Sequence, residues 1–207
     1  MMLGMVFSST ISGQTLSRLG GHYRTQGLVG LAIMATGMFL LSGMTETTSF
    51  GQAVFYLVIT GFGIGTTFPT FTIAVQNAVP YSQLGVVTAA NQFYRSIGGA
   101  LGLAILGSIM ATRFASGLED SIGPQLRDGV PAETLAGMSN NPQALVNPEE
   151  LDALRATVSP GVADQLLDAL RSSLALAIGD LFLIAMGTAL VALVVTAFLK
   201  ETPLRES

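Results

Sequence analysis

Cysteine is absent from the 207 residues, which excludes disulfide frameworks, thiolate nucleophiles, iron-sulfur clusters and cysteine-ligated zinc. Histidine occurs once, at His22, and no His, Glu and Asp stand together at ligand spacing in the sequence, which argues against a metal centre or an acid/base enzyme site. No nucleophile and base constellation supports an enzyme. Charge is scarce too: 11% of residues are Asp, Glu, Lys or Arg. The nine Lys and Arg form no basic patch, so nucleic-acid binding has nothing to rest on. The net charge of -4 hides an uneven distribution, because the acids are concentrated between Glu119 and Asp168.

What the chain has instead is apolar length. Half of its residues are hydrophobic and its mean hydropathy is +0.59; the apolar residues come in long uncharged runs rather than in an amphipathic pattern. These features place it among all-α integral membrane proteins. Met1 to Ile11 is apolar but shorter than the roughly 20 residues a spanning helix needs. Arg18 and Arg24 follow that run rather than precede it, unlike a secretory signal. The chain is therefore expected to begin inside a transmembrane helix and to be part of something longer.

The pattern predicts a truncated transmembrane helix over 1–15, a loop over 16–24, three transmembrane helices over 25–111, an acidic extramembrane segment over 112–173, a last transmembrane helix over 174–199 and a tail over 200–207. The loop carries Arg18, His22 and Arg24 without an acid, so the positive-inside rule puts it in the cytoplasm. Alternation then makes the acidic segment extracytoplasmic and the tail cytoplasmic. Within the second complete span Pro69 predicts a kink. The third span starts between Leu84 and Asn91 and ends near Ala111. Two short amphipathic helices are expected in the acidic segment. One starts at Asn147, Pro148, Glu149 and Glu150, with its acids near the positive end. The other follows Ser159 and Pro160 and carries Val162, Leu166, Leu167 and Leu170 on one face.

Two stripes recur at helical spacing. Gly61, Gly65, Pro69, Thr72 and Gln76 share one side of a helix, and Thr88, Asn91, Gln92, Arg95, Gly98, Gly99 and Gly102 share another. The glycines read most simply as packing seams, since Gly-xxx-Gly lets helix backbones approach closely. Gln76, Asn91, Gln92 and Arg95 are costly against lipid and are expected to face other helices or an aqueous cavity, as structural braces or as substrate-lining groups. If its span starts at Leu84, Arg95 lies roughly 16 Å along the helix; if at Asn91, it sits near the interface. Asp180, in the first third of the last span, is expected at headgroup level or, if buried, as a proton-binding group.

The ordered series Gly61-x-Gly63-x-Gly65, Pro69, AVQNAVP from Ala74 to Pro80, Gly85 and Arg95-x-x-Gly98-Gly99-Ala100-x-Gly102 resembles the 14-helix drug:proton antiporter branch (EmrB/QacA type) of the major facilitator superfamily. Gly13, Leu16, Arg18 and Gly20 also resemble the cytoplasmic-loop signature of that superfamily, with Ser17 standing where an acid would be. The resemblance implies part of the carboxyl-terminal half of a major facilitator fold: one truncated and four complete transmembrane helices, the complete ones being helices 11 to 14. It further implies a multi-pass protein of the plasma (inner) membrane that exports small hydrophobic or cationic compounds by alternating access. The energy source would be the proton gradient, with no cofactor. Its partners would be the lipid bilayer, protons, substrate and an amino-terminal half that holds most of the proton-binding groups.

Two other readings stay open. A transporter of the same fold could carry another small solute, because fold does not fix cargo. A self-contained four-span protein could instead assemble through its Gly-xxx-Gly faces and bind a partner through the acidic segment.

Overall fold

The computed structural model describes residues 1–18, 22–45, 47–122 and 160–201, and these are helical throughout apart from short connections. In order they form α1 (Met2–Arg18), α2 (Tyr23–Ser42), α3 (Phe50–Asn77), a 3-10 turn (Tyr81–Gln83), α4 (Leu84–Ser121) and α5 (Pro160–Ala197). Four of them, α2 to α5, are long and apolar enough to cross a membrane. With 17 residues, α1 falls short of that length. This is the expected all-α architecture of four complete spans and a shorter first helix.

The residues divide into two compact units. The first contains α1, α2, α3, the part of α4 through Gly102 and the part of α5 from Phe182. Its centre is α3. Ser49 starts that helix with a capping box: the Gln52 amide donates to Ser49 Oγ at 3.3 Å, and the Ser49 amide donates to Gln52 Oε1 at 3.2 Å. Successive residues turn by about 100°, so glycines two apart fall on nearly opposite faces of a helix. Gly61 and Gly65 lie against α1, where an added Cβ would collide with main-chain atoms of Met1 and Met5. Gly63 lies against α2, where an added Cβ would come within 2.6 Å of Met34 Cα. The GFGIG run thus lets α3 sit close to a helix on each side.

The second unit contains the rest of α4, from Leu103, and α5 through Leu181. Phe114, Leu118, Leu166 and Leu170 are fully buried there, joined by Ile122, Leu167 and Ala177, with Val162 partly buried against them. The amphipathic face expected over 162–170 is this contact. It belongs to no separate helix, however: α5 runs without a break from Pro160 into the membrane span.

Three boundaries differ from the sequence pattern, each for a visible reason. The first helix continues to Arg18 rather than ending at residue 15, and Leu16 in the added turn is buried rather than solvated in a loop. The third span continues past Ala111 to Ser121, because Phe114 and Leu118 are covered by α5. The last helix starts at Pro160 rather than Leu174, because the same contact covers its first turns. The expected helix start at Asn147–Glu150, Ser159, Gly20, the side chain of Arg18 and the tail beyond Glu201 lie outside the described residues.

Little of α4 and α5 is covered. Few residues of the apolar stretches in α4 and α5 are buried, against about a third or more in α2 and α3. Both helices present long apolar faces suited to lipid or to further helices.

Candidate functional site

Polar groups in the first unit gather in two places. The first is the line where α3 meets α4. Pro80 caps the 3-10 turn and its carbonyl accepts from the Gln83 amide at 2.9 Å, so the chain reverses and α4 begins at Leu84. Gln76 Nε2 then donates to Thr88 Oγ1 at 3.0 Å. Seven residues further along α4, the Arg95 guanidinium lies 5.0 Å from the centroid of the Phe68 ring on α3. Two cross-helix rungs therefore join residues spaced about two turns apart on each helix.

A guanidinium over a ring face is held by about 0.5 kcal/mol when exposed and by about 2 kcal/mol or more when desolvated. Among the described residues no carboxylate pairs with Arg95, and the Phe68 face takes that place. Arg95 is about 16 Å along the helix axis from Leu84, where α4 starts. Asn91 is half-buried and Gln92 exposed on the same helix. Gly98 and Gly99 are exposed and Gly102 is half-buried; among the described residues, a Cβ on any of the three would meet nothing within 4 Å. The second glycine seam thus faces open space, unlike the seam of Gly61 and Gly65.

The second cluster went unrecognised in the sequence. Ser12 Oγ of α1 donates to the Thr66 carbonyl of α3 at 3.1 Å and lies 3.3 Å from Thr70 Oγ1. Thr70 Oγ1 donates to the same Thr66 carbonyl at 2.7 Å. Gln26 Nε2 of α2 donates to the Ser12 carbonyl at 2.8 Å and to Ser12 Oγ at 2.6 Å. The knot ties three helices one turn from Pro69, and every buried side-chain polar atom among the described residues has a partner. The signal was there: Ser8, Ser12 and Thr15 recur at helical spacing, as do Thr66 and Thr70. Gln26 also lines a cavity of about 520 Å³ with Thr15, Leu16, His22, Thr25 and Val29.

Gly13, from the loop signature, lies in α1 with open space beside it. Arg18 is the last residue of α1. In the second unit, Asp180 Oδ2 lies 3.4 Å from Arg113 Nε, and both side chains are well exposed. The pair puts a carboxylate beside the charge of Arg113.

Residues 1–103 match the family model described as Major Facilitator Superfamily. The chain is similar to the multidrug transporter protein MdtP of Bacillus subtilis, with 37% identity over 153 residues, 70% of this chain and 28% of that protein. It is also similar to a tetracycline resistance determinant of Streptomyces rimosus, 34% identical over 109 residues, which are 53% of this chain and 31% of that protein. Multidrug resistance protein 3 of Bacillus subtilis is 31% identical over 121 residues, 58% of this chain and 23% of that protein. The matched region thus spans less than a third of the length of each of these relatives.

Proposed function

We infer that the chain belongs to the major facilitator superfamily, and from that premise we propose that it supplies carboxyl-terminal helices of a multidrug efflux transporter. The observation that carries this reading is the similarity to a multidrug transporter over 70% of the chain. The coupling proposed is to protons, as in the 14-helix drug:proton antiporter branch that the motif series resembles. The setting is the plasma membrane, and the partner is an amino-terminal half that closes the substrate cavity and holds the proton-binding groups. Alternating access would then rock the two halves about a midplane site.

In this reading the α3–α4 line faces the substrate path. Arg95 and Gln76 brace its wall through Phe68 and Thr88, while Asn91 and Gln92 offer amide donors and acceptors to a passing compound. The glycine face at Gly98, Gly99 and Gly102 is where another helix of the complete transporter could approach closely. Asp180, already beside Arg113, serves as an ion-pair partner rather than as the coupling carboxylate.

The test is drug susceptibility and ethidium export by the full-length protein in an efflux-deficient host. Raised resistance and proton-dependent ethidium export are expected. In addition, Arg95→Ala should impair export more than Arg113→Ala at equal expression. Unchanged susceptibility to every dye and drug tried would refute efflux. Equal activity of the two arginine variants would refute the role given to Arg95.

A further inference from the structure

Four helix ends meet at one place in the first unit. There α2 starts at Tyr23, α3 ends at Asn77, α4 starts at Leu84 and α5 ends at Ala197. Among them opens a groove of about 740 Å³, lined by Phe71, Val75, Val79, Val87, Val195 and Leu199, with the exposed Lys200 also in its lining. That volume is within the range of small-molecule sites, about 300–1,000 Å³. Coincident ends of spanning helices mark the level of a membrane interface, where hydrocarbon gives way to headgroups.

The polar groups at this end are arranged in a definite way. Tyr23 is buried and its hydroxyl donates to the Lys200 carbonyl at 3.0 Å, which clasps the end of α5 to the start of α2. The neighbouring acid, Glu201, accepts from the Thr25 amide in the first turn of α2 at 3.4 Å, so its charge is directed at the positive end of a helix. Among the described residues no carboxylate forms an ion pair with Lys200 or with the exposed Arg24 that follows Tyr23. A largely apolar slot with an exposed lysine in its lining, at interface depth, is complementary to one kind of molecule: acyl chain inside, anionic headgroup outside.

We propose that this groove binds an anionic phospholipid, with its acyl chain along Val195, Val79 and Phe71 and its phosphate on Lys200. The proposal does not depend on the transport reading. Bound lipid would lie against the ends of α2, α3 and α5 and so steady the clasp that joins them.

The chain has no tryptophan, so a single inserted one reports its own surroundings. Val195→Trp puts the probe in the groove, and Val86→Trp puts one at the same end of the bundle on an exposed position outside it. Each variant is reconstituted in vesicles containing brominated phosphatidylglycerol or brominated phosphatidylcholine, and fluorescence quenching is titrated. The groove probe should be half-quenched at a mole fraction of phosphatidylglycerol on the order of fivefold lower than of phosphatidylcholine, the preference one lysine supplies at a membrane surface. Lys200→Gln should abolish that difference, and the Val86→Trp probe should show none. Equal quenching by both lipids at Val195, a preference that survives Lys200→Gln, or the same preference at Val86 would each overturn the proposal. If Val195→Trp fails to fold, Leu199→Trp, also in the lining, replaces it under the same criteria.

Discussion

Adding one methyl group at Gly63 tests how α3 is held. The new Cβ would stand 2.6 Å from Met34 Cα and closer still to the Met34 amide nitrogen. These are main-chain atoms, so no rotamer change relieves the contact. The helices must separate by roughly an ångström to restore ordinary van der Waals distance. Separation also loosens the neighbouring contact, where Thr66 and Thr67 methyl groups sit about 3.0–3.1 Å from the position a Cβ would take on Gly30. Overpacking of this kind costs about 1–3 kcal/mol. Alanine gains about 1 kcal/mol over glycine in helix propensity, which would mask part of the loss. Gly98→Ala supplies the same propensity gain at a position where a Cβ meets nothing within 4 Å. The difference between the two variants therefore isolates the packing cost, and Gly63→Ala should be less stable than Gly98→Ala by about 1–3 kcal/mol. The measurement is loss of helical circular dichroism as dodecyl sulfate is titrated into the protein in mild detergent. If Gly63→Ala unfolds at the same sulfate fraction as Gly98→Ala, or a higher one, the close approach of α2 and α3 at this glycine is refuted.

Ser12→Ala should cost about 1–3 kcal/mol in the same titration, because it strips an acceptor from Gln26 and a donor from the buried Thr66 carbonyl; Thr15→Ala, which loses only a bond within its own helix, should stay within about 0.5 kcal/mol of the parent. Leu166→Ala removes a fully buried side chain from the second unit and should lower stability by about 2–5 kcal/mol, with faster amide exchange over 114–121; unchanged exchange there would show that α4 does not depend on this contact. Arg95→Ala and Phe68→Leu should couple by about 0.5–2 kcal/mol in a double-mutant cycle, and additive effects would remove the cation–ring rung.

Much of the helical layout was legible because hydrophobic length and glycine, proline and cap signals act locally. The Gly61 and Gly65 spacing, the start of α3 after Ser49 and the shared face of Val162, Leu166, Leu167 and Leu170 can each be read within a few turns of one helix. Boundaries were less legible where a residue's surroundings come from elsewhere in the chain. Leu16 falls in the expected loop, yet it is buried in the continued first helix, and Ser12 has no local mark of its bonds to Thr66 and Gln26. Phe114 and Leu118 read as a weak apolar remnant beside charged residues, yet α5 covers them completely. The candidate site was half legible: the stripe on α4 was visible, whereas the partner of Arg95, an aromatic ring on α3, is recorded by no pattern on α4 itself.

By itself the sequence determined that this chain is helical, apolar along four spans and glycine-marked on particular helix faces, because length, charge and a 3.6-residue period need no knowledge of neighbours. Only the tertiary structure decided which face meets which. Gly61 and Gly65 meet α1 while Gly98, Gly99 and Gly102 meet nothing among the described residues, and Tyr23 reaches the carbonyl of Lys200, 177 residues away. Periodicity marks a face as able to pack or to bind, but helix crossing assigns its partner, and no local pattern records that crossing.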